Sequence, residues 1–177
     1  MPYLAAGTVL VGLLGLVNLV LTFGVIRRLR DVGFSASALA RKPMLSAGEP
    51  VGEFEIVTTD GTPISRDSLG GDTVVGFFST GCAPCEQLLP AFLQYAAAMP
   101  GGRERVLAVV VGPEGDVVEP VARLAPVSRV VVEDITGGPL SSAFGVLGYP
   151  SVCVVDGAGR VAASGSELRV LPEPARV

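Results

Sequence analysis

Two cysteines separated by two residues, Cys82-Ala83-Pro84-Cys85, place the tightest constraint on this chain. Such a pair is a redox couple or half of a metal site, and its flanks distinguish the two. Thr73-Val74-Val75-Gly76-Phe77-Phe78-Ser79 is β-branched and aromatic, as a buried strand requires. Glu86 to Met99 carries apolar residues at helical spacing. The pair therefore falls where a strand ends and a helix begins. A helix N-terminus offers unpaired N–H groups and a partial positive charge, and both favour a thiolate. The first cysteine is thus expected to have a lowered pKa and to be nucleophilic near neutral pH. Structural zinc needs four Cys, His or carboxylate ligands. The chain has no histidine, and its third cysteine, Cys153, is not part of a second Cys-x-x-Cys. Redox chemistry is the reading these residues favour.

The charges are unevenly placed. Residues 1–26 carry no charged side chain. Arg27, Arg28, Arg30, Arg41 and Lys42 then face one acid, Asp31. From Pro43 onward the formal charge is −8, which argues against nucleic acid as a partner. Residues 3–26 are mostly apolar. As a helix rising about 1.5 Å per residue they would cover about 36 Å, against a hydrocarbon core of about 30 Å. A secretory signal would need a basic start and a shorter apolar core. Here the start, Met1-Pro2-Tyr3-Leu4, is uncharged apart from its amine, and a basic segment separates the apolar run from Ala38-Leu39-Ala40. Residues 3–26 are therefore expected to be a retained single-pass transmembrane anchor, with Asn18 a tolerated amide inside it. Residues 27–48 are expected to be a basic, then Ser/Ala/Pro-containing, stalk, and 49–177 the globular domain.

Within that domain, Glu53 to Thr58 alternates as a half-buried strand. Asp60-Gly61 is a hairpin turn, Thr62 to Ser65 its return, and Ser65 to Leu69 a helical turn. The helix after Cys82 contains Pro90, where a kink is expected. Arg105 to Val111 is a continuous apolar, fully buried strand. Asp116 to Leu124 is a weak helix, expected to break or kink at Pro120. Arg129 to Glu133 is a strand and Pro139 to Phe144 a short helix. Ser151 to Val155 and Arg160 to Ala163 form a closing hairpin around Asp156-Gly157-Ala158-Gly159. Strands interleaved with helices in this way predict an α/β sandwich with a mixed sheet.

These pieces, in this order, resemble a thioredoxin-like fold. More narrowly, the chain resembles bacterial membrane-tethered thiol–disulfide oxidoreductases of the TlpA, ResA and MauD type, over about residues 49–163. The resemblance rests on Gly48-Glu49-Pro50-Val51-Gly52-Glu53-Phe54 with Asp60-Gly61, on Val75 through Cys85, on Leu89-Pro90, and on Phe144-Gly145-Val146 with Gly148-Tyr149-Pro150-Ser151. It implies a three-layer sandwich with a mixed central sheet, preceded by the transmembrane helix. It also implies residue roles. Cys82 matches the attacking cysteine and Cys85 the resolving one, which releases the mixed disulfide. Pro150 matches a cis-proline facing the pair, the alternative being an ordinary trans turn proline. Tyr149 would shape the client-facing surface, and Ala83 and Pro84 would tune the potential. The partners implied are protein thiol or disulfide clients and a redox partner protein, with no bound cofactor and no metal.

The chain departs from the family patterns at identifiable positions. Gly81 stands where thioredoxin has tryptophan, Gly76 where it has a buried aspartate, and Leu88 where TlpA-type reductases often have a glutamate. Glu86 is next to the pair and is expected to be an exposed helix charge. Cys153 is expected to be a buried core thiol, the alternative being a third redox sulfur. A peroxiredoxin would need proline and threonine where Val75 and Ser79 stand. A copper-handling factor on this fold would suit soft thiolates but would use a wider cysteine spacing and a histidine. On membrane side the signals conflict. Tethered relatives face the extracytoplasmic space, whereas the five basic residues favour the cytoplasm. The extracytoplasmic side of a bacterial cell membrane is the expectation.

Overall fold

A computed structural model of the chain describes residues 12, 14–16, 18–19, 43–134 and 137–172. Residues 1–41 and 42–177 are separate compact units. The described residues of the first unit are helical, and Leu14, Leu16 and Leu19 are exposed. Most of the predicted anchor, its basic flank through Lys42, and residues 173–177 lie outside the described residues. Among those described, no helix is long and apolar enough to cross a membrane.

The second unit is built on a five-stranded sheet in the order β5-β4-β3-β6-β7. Its strands are β3 (Thr73–Ser79), β4 (Val106–Val111), β5 (Arg129–Glu133), β6 (Ser151–Val155) and β7 (Val161–Gly165). The first three are parallel, and β6 and β7 are added antiparallel. A two-stranded hairpin, β1 (Glu55–Val57) and β2 (Pro63–Ser65), precedes them. Its turn is held by Asp60, whose carboxylate accepts from Thr58 and pairs with Arg103. The bond from Thr58, then that from Arg103, pulls the Asp60 carboxyl well below the usual carboxylate range.

Alternation along β3 sends its side chains to two cores. Val75 and Phe77 join Leu107, Val109, Cys153 and Phe144 on one face. Val74 and Phe78 join Phe92, Leu89, Val110 and Val152 on the other. Both faces are covered, so β4 is buried at every position, as its uninterrupted Val106-Leu107-Ala108-Val109-Val110-Val111 requires. Each core has an aromatic pair, Phe77–Phe144 at 5.3 Å and Phe78–Phe92 at 5.0 Å between ring centroids. Such contacts contribute about 0.5–1.5 kcal/mol beyond the area they bury.

Helices α1 (Ala83–Ala97) and α2 (Val118–Leu124) supply side chains to the second core, and α3 (Pro139–Ala143) to the first. Helix α1 begins three residues before the sequence expectation, because Pro84 sits in the first turn, where a missing N–H costs nothing. It continues through Pro90. Pro120 does not break its helix. It is the third residue of α2, again within the first turn, so the helix starts later than expected and the proline fits its opening. After β7 the described residues contain only a 3-10 turn, Leu168–Val170.

Two features were not visible in the sequence. Residues 43–48, assigned above to the stalk, are stitched to the folded unit. Leu45 N donates to Phe144 O at 3.0 Å, Leu147 N donates to Pro43 O at 2.8 Å, and Met44 is buried. The buried Glu133, at the end of β5, caps α3 from outside. Its carboxylate accepts from Leu140 N (2.6 Å), Ser141 N (3.0 Å) and Ser141 Oγ (2.6 Å). Hydrogen bonds to a charged acceptor contribute about 1.5–3 kcal/mol each, so this carboxylate anchors the short helix that leads into the Gly145–Pro150 loop.

Candidate active site

Strand β3 ends at Ser79, and Gly81 turns the chain with φ +67°, a conformation that side-chain-bearing residues rarely adopt. Cys82 follows as the N-cap of α1 in extended geometry, and its Sγ accepts from Cys85 N at 3.3 Å. The two cysteines form a disulfide, with Cα atoms 5.2 Å apart. They differ in access. Cys82 is partly exposed, whereas Cys85 is 3% exposed and packed with Phe78, Leu89 and Phe92. Ala83 and Pro84 are exposed beside them.

The Gly145–Pro150 loop closes over this edge of the sheet. The Tyr149–Pro150 peptide is cis, and the Tyr149 carbonyl oxygen lies 3.8 Å from Cys82 Sγ. No proton lies between them while the sulfurs are bridged, so this contact marks proximity alone. The loop is pinned by Ser151 Oγ donating to Gly148 O at 2.6 Å and by the bond from Leu147 N to Pro43. Tyr149 is half-buried against both cores. Leu147, two residues before it, is 69% exposed. Sequence reasoning missed Leu147. The signal was an apolar residue between Gly145 and Gly148, where nothing local buries it.

The missing carboxylates have structural reasons. A Cβ at Gly76 would lie 2.8 Å from two atoms of the Phe92 ring, so that ring fills the volume an acidic side chain would need. Leu88 is partly buried against the second core. Glu86 is exposed, as expected. Val75, where a peroxidase pattern would need proline, sits in the ladder between Leu107 and Cys153.

Cys153 is a free thiol, fully buried in β6 on the face opposite Cys85. Burial pushes its pKa well above the ordinary thiol range. Treating the oxidised native protein with N-ethylmaleimide at pH 8 should therefore leave Cys153 unlabelled, with one label appearing on denaturation. Any native labelling would show that this part of the core opens. The shift also has a sign for stability. The contribution of this thiol is complete below the ordinary thiol pKa and declines as pH rises past it, because the unfolded chain ionises first.

No family model and no curated protein matches this chain. Solved structures do. The thioredoxin domain of a thiol–disulfide oxidoreductase from Bacteroides vulgatus has a TM-score of 0.56 at 19% identity, covering 68% of this chain and 88% of its own. A thiol:disulfide interchange protein of the thioredoxin family from Chlorobium tepidum has a TM-score of 0.52 at 27% identity, covering 68% and 85%. A thio-disulfide isomerase from Thermus thermophilus has a TM-score of 0.53 at 23% identity, covering 70% and 87%. The fold is the thioredoxin fold, with a mixed central sheet, and its structural neighbours are thiol–disulfide oxidoreductases.

Proposed function

We propose that the protein is a thiol–disulfide oxidoreductase that exchanges disulfides with protein clients through Cys82 and Cys85, held at a bacterial membrane by residues 3–26. The observation that carries this reading is the unequal exposure of two bonded sulfurs at the start of one helix. An accessible Cys82 suits attack on a client, and an enclosed Cys85 suits an intramolecular second step. In the reducing direction the Cys82 thiolate attacks one sulfur of a client disulfide, and the other client sulfur leaves as a thiolate. Cys85 then attacks Cys82 Sγ and expels the remaining client sulfur. Two electrons pass from the enzyme dithiol to the client, and the reverse sequence oxidises a client dithiol. The Cys85 N–H, which points at Cys82 Sγ, stabilises negative charge on that sulfur.

Tyr149 and the exposed Leu147 are assigned to the client-facing surface, the buried Pro150 to the cis turn that faces the cysteine pair, and Ala83 and Pro84 to tuning the potential. The test is Cys85→Ser. Without the resolving sulfur, the client remains bound to Cys82, and non-reducing gels should show a mixed-disulfide adduct that dithiothreitol removes. An adduct-free Cys85→Ser protein that still turns over insulin disulfides would refute the two-step scheme.

We also propose that the domain lies outside the cytoplasm, the side that the resemblance to tethered oxidoreductases favours. In intact cells, a membrane-impermeant maleimide should label reduced Cys82 without lysis. Labelling only after lysis would put the domain in the cytoplasm, where the five flanking basic residues would hold it.

A further inference from the structure

A cavity of about 370 Å³ opens alongside Cys85, between α1 and α2 and at the carboxyl ends of β3 and β4. Crevices at that edge of an open α/β sheet are where ligands bind, and roughly 300–1,000 Å³ is the size of small-ligand sites. Its lining has two parts. Phe78, Leu89 and Val110 make an apolar floor, and the charged part of the lining is Glu86, Asp116 and Glu119 with one cation, Arg123. Glu119 is held by Arg123 at 3.2 Å across one helical turn. Among the described residues, Glu86 and Asp116 have no ion-pair partner. The lining therefore has two uncompensated negative charges above an apolar base.

We infer that this cavity receives a basic side chain, Lys or Arg, that flanks the reacting cysteine of a client polypeptide. This deepens the exchange reaction proposed above and rests on it. A long cationic side chain has the matching anatomy, with an aliphatic stem that covers apolar surface and a charged head that stays at the polar rim. An acidic side chain would meet like charge there, and a short polar one would leave the floor uncovered. Gly81, next to the attacking sulfur, also lines the cavity. With Gly81 and Cys85 both in the lining, the cavity lies within reach of a residue adjacent to a client cysteine joined to Cys82. Complementary charge of this kind raises the encounter rate and selects among clients.

The experiment compares disulfide-linked dimers of blocked tripeptides whose cysteine is flanked on both sides by lysine, norleucine or glutamate. Each rate with the reduced protein is divided by the rate with β-mercaptoethanol, which cancels differences in the leaving thiol. The wild type should prefer the lysine peptide over norleucine roughly three- to tenfold, with glutamate slowest. In Glu86→Gln/Asp116→Asn the lysine-to-norleucine ratio should fall to near one. In Glu55→Gln/Asp72→Asn the net charge changes equally but away from the cavity, and the preference should remain. An indifferent wild type, a ratio that survives the cavity variant, or an equal loss in the distant variant would each overturn the inference while the exchange reaction stands. Failure to reduce any of the peptides would overturn the exchange reaction itself, and this inference with it.

Discussion

Cys82→Ser should abolish disulfide exchange, lowering insulin reduction by on the order of a thousandfold or more, to the rate seen with no protein. A serine hydroxyl at this position is neither ionised near neutral pH nor able to form the mixed disulfide. The whole covalent route is removed, not one contribution to it. Cys85 cannot substitute, because it is 3% exposed and belongs to the same buried core as Phe78, Leu89 and Phe92. The fold should remain intact. Serine is also a good N-cap, so the helix keeps an acceptor for the Cys85 N–H. Turbidity assay of insulin reduction, with circular dichroism as a control on folding, separates the outcomes. A folded variant at wild-type rate would remove Cys82 from the reaction.

Gly76→Asp should cost about 2–6 kcal/mol, which is a large share of the roughly 5–15 kcal/mol that holds a domain of this size together. The position lies mid-strand in β3, hydrogen-bonded to both β4 and β6, so the backbone cannot retreat. A Cβ there meets two Phe92 ring atoms at 2.8 Å and a Phe78 ring atom at 2.9 Å. Overpacking of this kind costs about 1–3 kcal/mol. A carboxyl group enclosed without a hydrogen-bond partner adds about 1–3 kcal/mol more. Thermal unfolding should show a melting temperature lowered by more than about 10 °C. Gly76→Ala isolates the steric part and should fall between the variant and the wild type. An unchanged melting temperature for Gly76→Asp would mean that Phe92 swings aside, so that the space near Cys85 accepts an acid after all.

The outline of the fold was legible because the relevant signals are local. A β-branched run such as Val106 to Val111 has few conformations that bury it, and the strand, Gly81, Cys82 and Pro84 follow one another within the chain. The departures from the family patterns were also legible as letters, in Gly76 and Leu88. Their consequence was not, since Phe92 is 16 positions from Gly76 and only the packing of α1 on β3 brings its ring there. The errors were errors of boundary. Pro120 carries the same signal whether it opens a helix or interrupts one, and the difference lies in where α2 starts against β4 and β5. Pro43 to Gly48 contains turn residues and little hydrophobic periodicity. Its attachment depends on Phe144, Leu147 and Val161, about a hundred residues away.

Sequence alone determined that two sulfurs would meet at the head of a helix, because a helical start after Cys82 brings residues three apart onto one face, whereas an extended chain would hold them about 10 Å apart. It also determined the alternation that divides β3 between two cores. Tertiary structure alone decided which sulfur solvent reaches, how the Tyr149 carbonyl comes within 3.8 Å of Cys82, and which carboxylates share a cavity with Cys85. Those relations join segments far apart in the chain, and no local propensity encodes them. They exist only once the sheet has set the distance between its strand ends.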